Sequence, residues 1–495
     1  MHSFADGWWR REAGKEMGLN VQDAQRRATT WPTRGRSWPA GTRSSEGVAC
    51  AARSRHQAMG PLPAIGLGMV VMFAILAVFG RMTGPLESFV GVCVATVCGL
   101  VVISQVHYAS RLGRSFTTVV LAVFVVKIAI GVGHYLYFFE PNYFTKPLGY
   151  FPWSYGFGQL PEGMQNIAHF WHTYGFTGVP QSQIVEKSWM LGVYHAMLYY
   201  LSGDHFLNFV PWASFHTVLV GFLVASLALE KGTTRRQATA AFVLTSLQPL
   251  FWYTDLPERD IVGQFFVVLA IYLLVHRLDK GHRLLPILPV ALALVYAQRW
   301  VYPLVIVVFV VLASLLAKHK ARVAAALSGI FVAVLLVAGP LVTRLTVGNY
   351  GGDLPTTPDT AIPQAVLAGV IGPFPWTQVF SVEDALIHLP PDLVQAWLGV
   401  VIWMIVLPRV WRRLRATGMV DELVLVVFLF SVSGVLTVAT HTVYVHVVTV
   451  LLFPVACRAS VREWAHKAVV VSYLYLFGHL AFYGLGLEGH NFFRR

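Results

Sequence analysis

The chain reads as an all-α, polytopic integral membrane protein, and three observations carry that reading. Of its 495 residues 56% are hydrophobic and only 12% charged, with a mean hydropathy of +0.60, a composition suited to lipid rather than water. Apolar stretches recur near 62–80, 86–106, 116–139, 205–229, 237–253, 261–276, 284–298, 301–317, 323–345, 394–408, 421–440, 442–457 and 468–487. They predict about 13 membrane-spanning helices, with a range of 11–13. The third observation is charge: with the N-terminus cytoplasmic, 28 of the 37 Lys and Arg residues fall on the cytoplasmic side. Only Arg81, Lys146, Lys187, Arg259, Arg299, Arg344, Arg494 and Arg495 fall outside, and Lys127 lies within a span. Acidic residues divide the other way, 10 inside and 14 outside, so the net charge of +13 describes the cytoplasmic face and implies no nucleic-acid partner.

Residues 1–58 form a basic N-terminal tail with no sustained apolar period, which predicts disorder ahead of a transmembrane domain over 59–495. Three readings compete for it: a basic arm on the anionic inner leaflet, a targeting peptide, or translated sequence upstream of the natural start, with Met59 as the alternative initiator. A cleavable secretory signal fits poorly because the first apolar stretch begins too late. Cys50, Cys93, Cys98 and Cys457 avoid the outer loops, which argues against a disulfide framework, and Cys93 and Cys98 read as small packing residues.

The connections between spans assign the work to one side. Those on the cytoplasmic side are short and basic, as in EKGTTRR at 230–236, HRLDKGHR at 276–283, KHKAR at 318–322 and PRVWRRLR at 408–415. They serve as topological anchors, and the last is also a candidate site for anionic lipid or phosphate. No GxxxxGK[ST] loop and no GxGxxG after a strand occurs, which argues against a nucleotide-driven pump or a cytosolic nucleotide-sugar enzyme. Two large extracytoplasmic loops, about 140–204 and 346–393, are therefore where chemistry is expected. The first is crowded with Tyr, Phe, Trp, Gly and His, a composition that suits both an interfacial aromatic belt and stacking on sugar rings. Within it, MLGVYHAMLYYL at 190–201 is too short to span comfortably and predicts a re-entrant or interfacial helix.

The sharpest constellation is LQPLFWYTDLPERDIVGQFF, where Asp255, Glu258, Arg259 and Asp260 emerge at the outer surface. Pro257 suits a helix opening, with Asp255 as N-cap and first-turn acids complementing the helix dipole. Capping gives no reason for Arg259, which sits at the positive end of a dipole on the side that avoids cations, and it predicts an anionic partner. Arg299 in AQRWVYP and Arg344 in LVTRLTVG end their spans on the same side. Three arginines at one depth suggest a shared phosphate site, since the planar guanidinium holds phosphate through a bidentate fork. Their ordinary reading is independent snorkelling or pairing with carboxylates.

Transfer of a sugar from a lipid phosphate needs a base for the acceptor hydroxyl and cations for the departing phosphate. Candidate carboxylates are Glu140, Asp255, Glu258 and Asp260, with Asp204 and Asp353 weaker. Glu140 ends a long apolar helix that also carries His134. No metal site and no cofactor is predicted: His169 and His172 are three apart, but His441 and His446 are five apart, and no HExxH occurs.

The stretch SLQPLFWYTDLPERDIVGQFFVVLAIYLL, together with IGPFPWTQ at 371–378 and the following VQAWLGVVIWMIVLPRVWRRLR, resembles bacterial polytopic proteins of polysaccharide biosynthesis. The resemblance covers about half the chain and is similar to O-antigen polymerases and to the C-type glycosyltransferase superfamily. It implies a bacterial cytoplasmic membrane location and action at its outer face on polyprenyl-phosphate-linked glycan, among membrane lipids and polysaccharide-assembly partners. A departure stands out: C-type transferases carry paired acids in the first outer loop, whereas RMTGPLES at 81–88 holds only Glu87. The expected function is a membrane-embedded glycosyltransferase or glycan polymerase, with Arg259, Arg299 and Arg344 on the carrier phosphate. A transporter or flippase of a lipid-linked or amphipathic solute is the alternative, and a noncatalytic assembly subunit a third.

Overall fold

A computed structural model describes residues 59–79, 84–134, 159–176, 189–203, 205–249, 259–280, 287–298, 301–317, 330, 389–417, 421, 423–430 and 449–484. The chain divides into two units, Met1–Gln57 and Ala58–Arg495, and every described residue lies in the second. The described residues are 91% helical, with no strand among them. The helices are α1 Pro61–Phe79, α2 Pro85–Ile103, α3 Ser115–His134, α4 Gln159–Tyr174, α5 Trp189–Ser202, α6 Phe209–Glu230 and α7 Arg235–Ser246. They continue with α8 Arg259–Lys280, α9 Ile287–Gln298, α10 Val301–Ala317, α11 Leu389–Thr417, α12 over 423–430 and α13 Val461–Gly484. Four described segments are long and apolar enough to cross a membrane: Pro61–Phe79, Pro85–Leu112, Ser115–Gly133 and Phe209–Glu230. This agrees with an integral membrane protein.

The distribution of polarity points the same way. Val70, Val78, Val94, Val125, Tyr473 and Phe477 are exposed, whereas Ser214, His216, Thr245, Gln248, Gln264 and Lys127 are buried. Apolar side chains outside and polar ones inside invert the pattern of a water-soluble bundle and match a protein whose surface meets hydrocarbon.

Helix α6 is the axis of the fold. Residues from Phe209 to Ala228 are buried without a break, and α1, α2, α3, α7 and α8 pack around it. Helix directions follow from side-chain contacts. Asn208, just ahead of α6, donates to Ser88 Oγ at 2.6 Å, and Tyr108 meets Ser226 Oγ at 2.6 Å near the other end, so α2 runs in the direction of α6. Helix α3 turns back after Gly113, whose φ of 94° suits glycine, and Ser104 of α2 donates to Thr117 of α3 at 3.1 Å. It therefore runs opposite to α6. Ser104 belongs to the π-helical turn Ser104–Tyr108, which continues from the end of α2.

Close approach of α1 and α2 rests on glycine: a Cβ on Gly99 would stand 2.8 Å from the Gly68 carbonyl oxygen, which is backbone and cannot swing aside. Helix α5 packs against α4, α1, α2, α8 and α9, with His195, Ala196, Leu198 and Tyr199 buried.

Three basic connections meet at the C-terminal end of α6. Asp421 lies 3.5 Å from Lys231 Nζ and 2.9 Å from Arg413 Nη1, and it accepts from Leu423 N at 3.1 Å as it opens α12. Arg458 donates to the Lys231 carbonyl. Nearby in the chain, Arg409 grips Glu463 through both nitrogens, at 2.7 and 2.5 Å. That hydrogen bond to Arg409 holds the Glu463 carboxyl below its ordinary pKa of 4.5. A depressed folded pKa means the stabilisation is present above the unfolded pKa and is lost as pH falls through the folded one. The unfolding-midpoint gap between the parent and Glu463→Gln should be constant above about pH 5 and close below 4.5. Because the pair is partly exposed, the gap should correspond to no more than about 1 kcal/mol. A gap that persists undiminished at pH 3 would show that the carboxylate is not its source.

The spans differ from the hydropathy reading at three places. The stretch 237–253 is not one helix: α7 ends at Ser246 and the chain turns at Leu247 and Gln248. The span at 394–408 belongs to a longer helix, Leu389–Thr417, that continues through Pro408. Within 442–457, the described part is a 3-10 turn, Thr449–Leu452, leading into a short helix, Phe453–Ala456.

Candidate functional site

The early end of α7 creates the most distinctive site in the described structure. The helix starts well: Thr234 accepts from Gln237 N while the Gln237 side chain accepts from Thr234 N, a complete capping box. It then runs back along α6, with Phe242 against Phe222 at 5.4 Å between ring centroids and Ser246 against Gly221. A 12-residue helix spans about 18 Å, too little for a hydrocarbon core of about 30 Å.

A chain that leaves a helix at this depth must have its polar groups covered by protein or line a polar cavity. Protein covers it here. Leu247 N donates to Val243 O at 2.9 Å and Gln248 N to Thr245 O at 3.4 Å, which closes the last turn. The Gln248 and Gln264 side chains then exchange amide hydrogen bonds, at 3.0 and 3.2 Å, with both residues buried. This reciprocal pair ties the end of α7 to the first turns of α8. Three hydroxyls, Thr245 Oγ1 and Ser246 Oγ at the break and Ser214 Oγ on α6, are buried with no hydrogen-bond partner among the described residues. Ser214 lies on α6 seven residues before Gly221, two turns away on the same face. It therefore continues, beyond the end of α7, the face against which α7 packs.

Helix α8 follows α6 in direction, because Phe265 meets His216 at 5.6 Å and Tyr272 Oη donates to Glu230 at 3.2 Å. His216 is buried, with Nδ1 2.8 Å from Trp212 O and Nε2 2.9 Å from Tyr194 Oη of α5. The carbonyl can only accept, so the neutral ring carries its proton on Nδ1 and its Nε2 accepts from Tyr194. Trp212, Phe215, Phe265 and Tyr194 surround this ring. Asn208 joins α5 to α2, donating to Ser88 Oγ and to the carbonyls of Ser202 and Gly203.

Lys127 is fully buried in α3. It belongs to a stripe with Phe116, Val120, Phe124 and Gly131, all buried at spacings of three to four residues. Aromatic side chains of the first large loop also cluster, with His172 stacked on Tyr200 at 4.4 Å and Trp171 against Phe176 at 5.1 Å.

Of the residues singled out in the sequence, Arg259 and Asp260 are the first two of α8. The side chains of Arg259 and Asp260, and all of Glu140, Asp255, Glu258, Arg299 and Arg344, lie outside the described residues. The segment carrying Asp255 and Glu258 leaves from Gln248 and returns at Arg259, so the glutamine pair pins the chain on both sides of it. The sequence pattern did not single out Gln248, Gln264 or Ser214. Their signal is present as amides and a hydroxyl inside apolar runs, but the sequence does not say that they meet. Among the described residues no three His, Cys, Asp or Glu side chains form a metal-binding group. No family model, curated protein or solved structure matches the chain.

Proposed function

We propose that this protein is a membrane-embedded glycosyltransferase or glycan polymerase that acts on polyprenyl-phosphate-linked sugars at the outer face of a bacterial cytoplasmic membrane. In this reading about 13 spans cross the membrane, the N-terminus is cytoplasmic, and Arg259, Arg299 and Arg344 hold the carrier phosphate. Glu140, Asp255, Glu258 or Asp260 takes the acceptor proton or positions the acceptor sugar.

The observation that carries the proposal is the pinned connection between α7 and α8. A buried amide pair ties Gln248, ahead of it, to Gln264 in the second turn of α8, and its sequence bears two carboxylates before the Arg259–Asp260 helix start. A fixed frame under acids and a cation is what positioning of a reacting sugar requires. The charge partition supports the sidedness, and so does the meeting of Lys231, Arg413, Asp421 and Arg458 at the end of α6 remote from Arg259.

The test is the lipid-linked glycan profile of cells lacking the protein beside cells carrying Arg259→Ala. Single repeat units accumulating on the carrier in both is the expected result; an unchanged profile in both sinks the glycan reading. A flippase is the second reading, favoured by Lys127 buried within a candidate span. Loss of a flippase strands the lipid-linked sugar on the inner leaflet, whereas loss of the transferase leaves it on the outer one, where a membrane-impermeant glycosidase reaches it.

A further inference from the structure

We propose that the junction of α11 and α13 is a binding surface for an anionic phospholipid, with Arg412 and Lys467 on its phosphate; the inference stands apart from the glycan reading and needs only that the protein lies in a membrane.

Each helix changes character at the junction. On α11 no charged residue falls between Asp392 and Arg409, and the chain then runs Arg409, Val410, Trp411, Arg412, Arg413, Leu414, Arg415. On α13 the order is reversed: Arg462, Glu463 and Lys467 come first, and no Asp, Glu, Lys or Arg follows from Ala468 to Gly484. The two-nitrogen grip of Arg409 on Glu463 sets the two boundaries at one level, and Trp397 Nε1, donating to Ser472 Oγ at 3.1 Å, shows that the helices run in opposite directions. The start of α13 is fixed, since Glu463 N donates to Ser460 Oγ at 3.1 Å and Trp464 Nε1 to Ala456 O at 3.2 Å.

Exposed side chains mark the depth. Leu407 and Trp411, four residues apart on one face of α11, are 54% and 53% exposed. An exposed apolar residue followed by an exposed Trp is the pattern of a helix leaving hydrocarbon for the headgroup layer, which puts Arg412 at the level of lipid phosphate. Arg415 lies over the Trp411 ring, 4.6 Å from its centre.

Charge at the junction does not balance. The hydrogen bond from Arg409, and then the charges of Lys467 and Arg412, hold the Glu463 carboxyl below its ordinary pKa, so three cations gather about one acid. Arg409 commits both terminal nitrogens to that acid. Arg412 engages only Nε, on Pro408 O at 3.4 Å, and among the described residues neither Arg412 nor Lys467 has a carboxylate within ion-pair distance. An open guanidinium fork and an ammonium at headgroup depth are the donor set a phosphodiester takes, and the positive end of the α13 dipole adds to the attraction. The competing role is a surface charge cluster that only orients the two helices in the membrane.

The experiment uses the full chain purified in a neutral detergent and native mass spectrometry, with phosphatidylglycerol as the probe and phosphatidylcholine at equal concentration as its net-neutral counterpart. The parent should retain phosphatidylglycerol, and Arg412→Gln with Lys467→Gln should lower that retention about tenfold while phosphatidylcholine is unaffected. Arg235→Gln with Arg236→Gln removes the same charge from exposed positions in the first turn of α7 and should leave retention unchanged. Lys467→Gln alone should lose about threefold and serves if the pair does not fold. Equal loss from both pairs would assign the effect to overall charge and overturn the site, as would a parent with no preference for the anionic lipid. Displacement of the lipid by an equal concentration of inorganic phosphate would make the site one for the free anion and overturn it too. Failure on any of these counts leaves the glycan reading standing, because none of the residues tested belongs to it.

Discussion

Arg259→Lys is expected to lower transfer from a lipid-linked donor about 10- to 100-fold while the protein still inserts and folds. The magnitude follows from the bond that is lost. A hydrogen bond to a charged group contributes about 1.5–3 kcal/mol, and about 1.4 kcal/mol is a factor of ten in rate. Lysine keeps the charge and loses the planar fork, so only a role in bidentate phosphate binding predicts a large effect from so small a change. The helix start adds a second reason. Arg259 is the first residue of α8, where the dipole disfavours a cation by a few tenths to 1 kcal/mol unless an anion lies between them. The assay is product formed per unit of inserted protein with a polyprenyl-pyrophosphate sugar, with Arg299→Lys and Arg344→Lys in parallel. Normal polymer from all three variants would end the arginine mechanism and favour snorkelling instead.

A large effect on stability is expected at Gly221. An alanine there would drive its Cβ into Ser246 Oγ and to 3.0 Å from Phe242 Cδ2, so α6 and α7 must separate or Phe242 must leave its place among Phe116 and Phe222. Overpacking of this kind costs about 1–3 kcal/mol. Ser246→Ala in the same chain removes the nearer obstacle and should restore part of the loss, because Phe242 remains. Thermal unfolding of the parent, the single variant and the pair in detergent measures both steps. If the pair is no more stable than Gly221→Ala, the contact with Ser246 is not what the glycine permits. Activity gives a second readout: the end of α7 anchors the connection to Arg259 through Gln248, so the same variant should lower transfer more than a stability loss elsewhere does.

Hydropathy and charge placement carry the all-helical class and the membrane reading, because lipid acts on every turn of a helix and leaves its mark residue by residue. The same signals mark Lys127 as a charge out of place and the Asp255 to Asp260 stretch as chemically loaded. What they misplace is the end of α7. Window hydropathy over 237–253 stays high because Val243, Leu244 and Leu247 are followed by Pro249 and more apolar residues, yet the helix stops at Ser246. A break is invisible to such a reading when protein rather than lipid covers it, here through a distant partner, Gln264, whose side chain pairs with that of Gln248.

The order of amino acids thus states what each segment is made of: which stretches prefer hydrocarbon, which ends carry cations, and which residues have the chemistry for phosphate and proton transfer. Which of them share a place is a property of the assembled bundle. That Ser214 continues the face α7 abandons, and that Gln248 meets Gln264, depend on helix direction and register. Register is set by contacts between residues far apart in the chain, such as Phe116 with Phe242 and His216 with Phe265. No local preference encodes those contacts, because burial energy rewards any close fit and only the mutual consistency of all the helices selects one.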